Sequence, residues 1–103
     1  MEVIYKKQFT KDVRKISDKK LKNRIQDKVN EVEAIVSAHE PADKNDIPNI
    51  TNMVKLQDFE YHYRIRIGDY RLGVTIEIEI EEEENIFRFV RCLHRKDIYK
   101  KFP

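Results

Sequence analysis

From Tyr63 to Ile80 the chain alternates apolar and polar positions with few breaks. Successive side chains of a strand point to opposite faces, so Tyr63, Ile65 and Ile67 share one face while Arg64 and Arg66 share the other. Gly68-Asp69 reads as a tight turn, after which Leu72, Val74 and Ile76 return to the apolar face and Arg71 lies opposite them. The pattern predicts strands at about Tyr61–Ile67, Tyr70–Ile80 and Asn85–His94, with Glu82–Asn85 turning the chain between the last two. Thr75, Glu77 and Glu79 fall on the outward face of the second of these strands.

Upstream the period changes. Leu21, Ile25, Val29, Val32 and Val36 recur at three- and four-residue steps, the mark of an amphipathic helix. Asp18 or Ser17 can cap its start, and His39-Glu40-Pro41 ends it, because a residue before proline avoids the helical region. A shorter helix with Phe9, Val13 and Ile16 on one side is expected to start at a Thr10 cap. Val3, Ile4 and Tyr5 within residues 2–7 read as a first strand. Pro41–Asn52, rich in Pro, Asp, Asn and Thr, reads as a loop, and Met53–Leu56 can begin a further strand. Asp97–Phe102 reads as a final helical turn. The predicted class is α+β: two N-terminal helices on one face of a small, mainly antiparallel sheet, in the order β-α-α-β-β-β, the other face solvated.

With 103 residues, 40% of them hydrophobic, the chain has material for one core, and residues 1–103 are expected to form one domain. Glu2, Lys6 and Lys7 leave no secretory apolar segment at the start, and no apolar run reaches membrane-spanning length. Cys92 is alone, which excludes an internal disulfide and suits the reducing cytoplasm. In an apolar strand it reads as a small core residue. The expectation is a cytoplasmic protein with no membrane partner.

The net charge of +2 understates how basic most of the chain is. Glu77, Glu79 and Glu81–Glu84 hold six of the nineteen acids, and setting six negative charges aside leaves the remainder at +8. Such asymmetry favours nucleic acid or an acidic protein as partner. His39, His62 and His94 are too widely separated to suggest a metal motif, and the two glycines form no phosphate-cradling loop. No metal or cofactor is expected. What remains is the arginine face and the segment Cys92-Leu93-His94-Arg95-Lys96-Asp97-Ile98-Tyr99. Cleaving a phosphodiester without a metal requires a base for the attacking hydroxyl, an acid for the leaving oxygen and fixed cations for the charge on phosphorus. Arginines suit the last task through bidentate contacts. His94 suits proton transfer, and Tyr99 suits stacking on a base or donating its hydroxyl. The same residues also read as an ordinary solvated sheet surface and a strand-end histidine bonded to backbone.

The order of elements, the segment Tyr63-Arg64-Ile65-Arg66-Ile67-Gly68-Asp69-Tyr70-Arg71 and the ending Phe89-Val90-Arg91-Cys92-Leu93-His94-Arg95-Lys96-Asp97-Ile98-Tyr99 resemble the RelE/ParE superfamily of toxins, and its RelE-type branch most. The resemblance implies a toxin of a type II toxin–antitoxin pair that enters the ribosomal A site and cuts mRNA by metal-independent attack of a ribose 2′-hydroxyl. Its implied partners are the ribosome, mRNA and a cognate antitoxin. By position it implies charge stabilisation for Arg64, a general base at Arg66, transition-state stabilisation by Arg71, a general acid at Arg95 and RNA orientation or stacking by Tyr99. Familiar members carry lysines where this chain has Arg64 and Arg66. Arginine, with a pKa above about 12, is a poor base. Arg66 is then expected to clamp charge, with proton transfer falling to His94 as a histidine does in some relatives. The Arg95–Tyr99 spacing is also shorter than in those members. Two other readings fit the same fold: a ParE-like inhibitor of DNA gyrase without nuclease activity, and a non-catalytic RNA-binding module.

Overall fold

The computed structural model describes all 103 residues. The alternating segments form a five-stranded sheet in the spatial order β1-β5-β4-β3-β2, from β1 (Glu2–Tyr5), β2 (Met53–Lys55), β3 (His62–Ile67), β4 (Tyr70–Glu79) and β5 (Glu84–His94). Strands β2 to β5 run antiparallel to their neighbours, while β1 pairs in parallel with β5, Glu2 opposite Ile86 and Tyr5 opposite Phe89. The helices are α1 (Lys7–Arg14), α2 (Lys19–Ala38) and α3 (Arg95–Lys101). The α+β class and the two N-terminal helices over one sheet face hold. No helix is long and apolar enough to cross a membrane.

The core lies where periodicity places it. Ile25, Val29, Val32 and Val36 of α2 are buried against Ile65, Leu72, Val74, Phe87, Phe89 and Cys92 of the sheet, within one apolar cluster. Burial of an apolar side chain of this size contributes about 1.5–3 kcal/mol. The Asp18 carboxylate accepts from the Leu21 N–H and caps α2. Cys92 is sealed inside, and burial, helped by the Asp12 carboxylate, pushes its thiol up to about 12. It stays protonated and inert.

Four features differ from expectation. α1 starts at Lys7, not after Thr10, because the Lys6 N–H makes a last strand-like bond to Phe89 O while Lys6 O already accepts from Thr10 N–H. The hairpin between β4 and β5 turns at Ile80–Glu83, with Glu83 at φ 53°, because Glu79 pairs with Glu84. A bulge shifts that ladder, Gly73 facing Arg91 and Val74 facing Phe89, so Val90 is the extra residue. Finally, α3 begins at Arg95 and lies across the face expected to be open to solvent. Ile98 and Phe102 are buried there.

β1 ends at Tyr5, leaving the far half of β5 without a strand neighbour on the edge opposite β4. Asp12 of α1 fills the gap: its carboxylate accepts from the Cys92 N–H at 3.0 Å and from Arg91 Nε and a terminal guanidinium nitrogen at 2.8 and 3.1 Å. Burial alone would raise the Asp12 pKa, but the donors Arg91, Cys92 and Gln8 together hold it below the usual carboxylate value. A folded-state pKa below the unfolded one stabilises above the unfolded value, and that contribution is lost as pH falls through the folded one. Asp12→Ala should therefore cost about 3 kcal/mol in urea unfolding at neutral pH, by stranding Arg91 and the Cys92 N–H. The variant should also lose part of the wild type's decline in stability below about pH 4.

Candidate functional site

Gly68 takes φ +56° at the β3–β4 turn, a conformation that costs glycine little. That turn sets Arg66 opposite Arg71 and Arg64 opposite Gly73, so all three arginines project from the sheet face away from α2. They meet in one cavity of about 280 Å³, lined also by Asn52, Val54 and Tyr99. No carboxylate lines it, and none of the three arginines joins an ion pair. Arg71 donates to the carbonyls of Gly68 and Tyr70, both at 2.9 Å, which fixes its guanidinium at the turn. Its remaining N–H groups stay free for a ligand.

Tyr99 enters from α3. Gly73 has no side chain, and the Phe102 ring sits on it: a Cβ there would fall 2.7 Å from a ring carbon. With buried Ile98 this contact presses α3 onto the sheet and puts the Tyr99 ring under Arg64, whose guanidinium carbon is 5.0 Å from the ring centroid. A cation–π contact of this kind at an exposed site contributes about 0.5–1 kcal/mol. Tyr99 is 66% exposed, so most of the ring stays accessible.

His94 and Arg95 do not line this cavity. His94 lies opposite Tyr70, with the same facing as the core residues Leu72 and Cys92, and its ring meets Tyr70 edge-on at 5.7 Å. Its Nδ1 accepts from the Lys96 N–H at 3.2 Å, so His94 is the N-cap of α3 and the neutral ring carries its proton on Nε2. Arg95 stands beside the β3–β4 turn, its N–H donating to Asp69 O at 2.7 Å and its side chain 3.9 Å from the Asp69 carboxylate. The structure thus gathers Arg64, Arg66, Arg71 and Tyr99 in one cavity, and holds Arg95 at the β3–β4 turn and His94 at the start of α3, outside it.

Asn52 was not among the residues singled out from sequence. Its carbonyl accepts from the Arg66 N–H at 3.1 Å and its φ of 67° turns the chain into β2, bringing the side chain to the cavity. The available signal was an asparagine, tolerant of positive φ, directly before a strand.

Comparison with known proteins points to one class, the toxins of type II toxin–antitoxin systems. The chain belongs to that class: a family model described as the ParE toxin of the type II toxin–antitoxin system parDE matches residues 3–99. Toxin RelE3 of Methanocaldococcus jannaschii is 34% identical over 103 residues, spanning all of both chains. The RelE-type toxin in a RelB–RelE antitoxin–toxin complex from Methanococcus jannaschii superposes with TM-score 0.61 at 31% identity, covering 97% of this chain and 99% of that one. An archaeal RelE–RelB complex from Pyrococcus horikoshii shares the fold at TM-score 0.57 and 20% identity, over 91% and 93% of the two chains.

Arg66 and Arg71 are direct cross-strand partners of like charge, an arrangement that destabilises a sheet. Arg66→Gln should raise stability in urea by roughly 0.5 kcal/mol at low salt, a gain that shrinks as salt screens the pair.

Proposed function

We propose that this RelE-like toxin is an endoribonuclease that cleaves mRNA in the ribosomal A site. The observation that carries the reading is the convergence of three unpaired arginines and one exposed tyrosine on a cavity without a carboxylate. Like-charge crowding of this kind costs stability, and a bound phosphate offsets it. Arg64 and Arg71 grip the non-bridging oxygens of the scissile phosphate, and Arg66 adds charge from the strand between them and the loop. Tyr99 stacks on a neighbouring base and holds the chain in line.

The ribose 2′-oxygen forms a bond to phosphorus as the bond from phosphorus to the 5′-oxygen breaks. The 2′-hydroxyl proton goes to a base and a proton reaches the departing 5′-oxygen, leaving a cyclic phosphate and a free 5′-hydroxyl. Arginine suits the charge on phosphorus better than it suits the base, so Arg66 is an electrostatic clamp. Arg95, beside the β3–β4 turn, and His94, at the start of α3, are the candidates for the proton steps. Full-length identity of 34% to Toxin RelE3 favours this branch. The RelB–RelE complex at 31% identity supports a cognate antitoxin for this chain, and an antitoxin laid over the arginine face would leave mRNA no access.

Arg71→Ala should abolish growth inhibition and drop cleavage in a translation extract at least a hundredfold while urea unfolding stays cooperative. Persistent toxicity of that variant overturns the assignment. His94→Asn separates two roles, since asparagine also caps helices. A cleavage loss of tenfold or more with stability retained marks proton transfer, and unchanged cleavage marks a cap only. The matched family description names a ParE toxin, which favours gyrase inhibition as the second reading. Loss of gyrase supercoiling with no new mRNA 5′ ends would replace the first reading with that one.

A further inference from the structure

The arginine cavity does not end at Tyr99. Across Val54, Arg64 and Tyr99, which line both, it opens into a second cavity of about 530 Å³ between α3 and the connection from β2 to β3. Leu56 and Gln57 form one wall and Ile98 the other. The gap exists because β2 stops at Lys55 and the chain loops out before β3, pinned at its base by Leu56 N–H to His62 O at 2.9 Å. Val54 and Tyr99, 50% and 66% exposed, both line it. Exposed apolar side chains on the walls of a concavity mark a binding site more than a packing defect.

Its chemistry is that of a base site. The walls are mostly apolar, from Val54, Leu56, Ile98, Tyr99 and Phe102, with Lys55 and Arg64 adding positive charge, Arg64 shared with the phosphate clamp, and no acid lines either cavity. Gln57 is exposed and its amide makes no hydrogen bond within the chain, so it offers a donor and an acceptor side by side. That is the pairing that matches adenine N6 and N7.

We infer that this second cavity receives the nucleobase adjoining the scissile phosphate, that it favours adenine, and that Gln57 determines this preference. The inference deepens the nuclease reading and rests on it for the position of the phosphate. Arg64 then serves both compartments, holding phosphate on one side and bordering the base on the other.

Two measurements test it. The first maps mRNA 5′ ends in a translation extract, using a message whose codons sample all four bases. Wild-type cuts should favour adenine beside the break by about tenfold, near the low end of discrimination by a bidentate contact. Gln57→Ala should bring the ratio near one, and Gln57→Glu should shift it toward cytosine, whose amino group a carboxylate accepts. An identical base ratio in wild type and both variants overturns the inference and leaves the nuclease reading standing. The second measurement titrates the free protein with a 2′-deoxy trinucleotide, which binds but lacks the attacking hydroxyl. Shifts of the Leu56, Gln57 and Ile98 amide resonances, larger for an adenine than for a pyrimidine trinucleotide, support the site. Shifts confined to Asn52, Arg64, Arg66 and Arg71 overturn it. Should the wild type cut no RNA, the nuclease reading fails, and the titration alone still decides whether the cavity takes a base.

Discussion

The seating of Phe102 on the bare backbone of Gly73 is the contact on which the site depends. α3 has only seven residues, too few to hold a helix by its own hydrogen bonds. It persists because Ile98 and Phe102 are buried against the sheet, because His94 caps it and because Arg95 N–H is tied to the β3–β4 turn. Any side chain at residue 73 would lift the Phe102 ring, and with it the ring of Tyr99 beneath Arg64. A single missing Cβ on the middle strand is what lets the last helix reach the arginines.

The second constraint is electrostatic. The hairpin tip from Glu81 to Glu84 and the arginine cavity are separated along the sheet, and where opposite charges meet on the outer face they pair, as Arg88 does with Glu77 at 2.9 Å. The three arginines of the cavity are left out of such pairing. Their mutual repulsion is tolerated because the core beneath them, Ile65 and Leu72 fully buried, is apolar and continuous. Stability supplied by one face of the sheet thus permits the strain carried by the other.

Much of this was legible in the chain. Strict alternation around Gly68-Asp69 specified both the sheet and the facing of Arg64, Arg66 and Arg71, since a one-residue slip would have put charges in the core. Spacing from Leu21 to Val36 specified α2. What escaped depends on contacts without a period. Val90 is one extra residue, invisible to a pattern of two, and it shifts the pairing of β4 with β5 between Gly73 and Val74. Asn52 reaches the cavity only because β2 pairs with β3 in that register. His94, grouped with the arginines for its aptness in proton transfer, faces the other way because it falls on the same parity as Leu72 and Cys92. The covering of the outer face by α3 turns on Gly73, which sequence alone marks only as a weak strand residue.

The parallel pairing of β1 with β5 carries a consequence for the order in which the fold assembles. Glu2 meets Ile86, and Asp12 meets Cys92 80 positions further along the chain, so distant parts of the sequence form one edge of the sheet. Contacts of such separation close late, because the loop entropy must be met before they contribute. During synthesis the first strand emerges long before its partner and has nothing to pair with. The sheet can close only after β5 has left the ribosome, and α3, which brings Tyr99, is made later still. A chain of this topology therefore acquires its arginine site only after both β5 and α3 have been made.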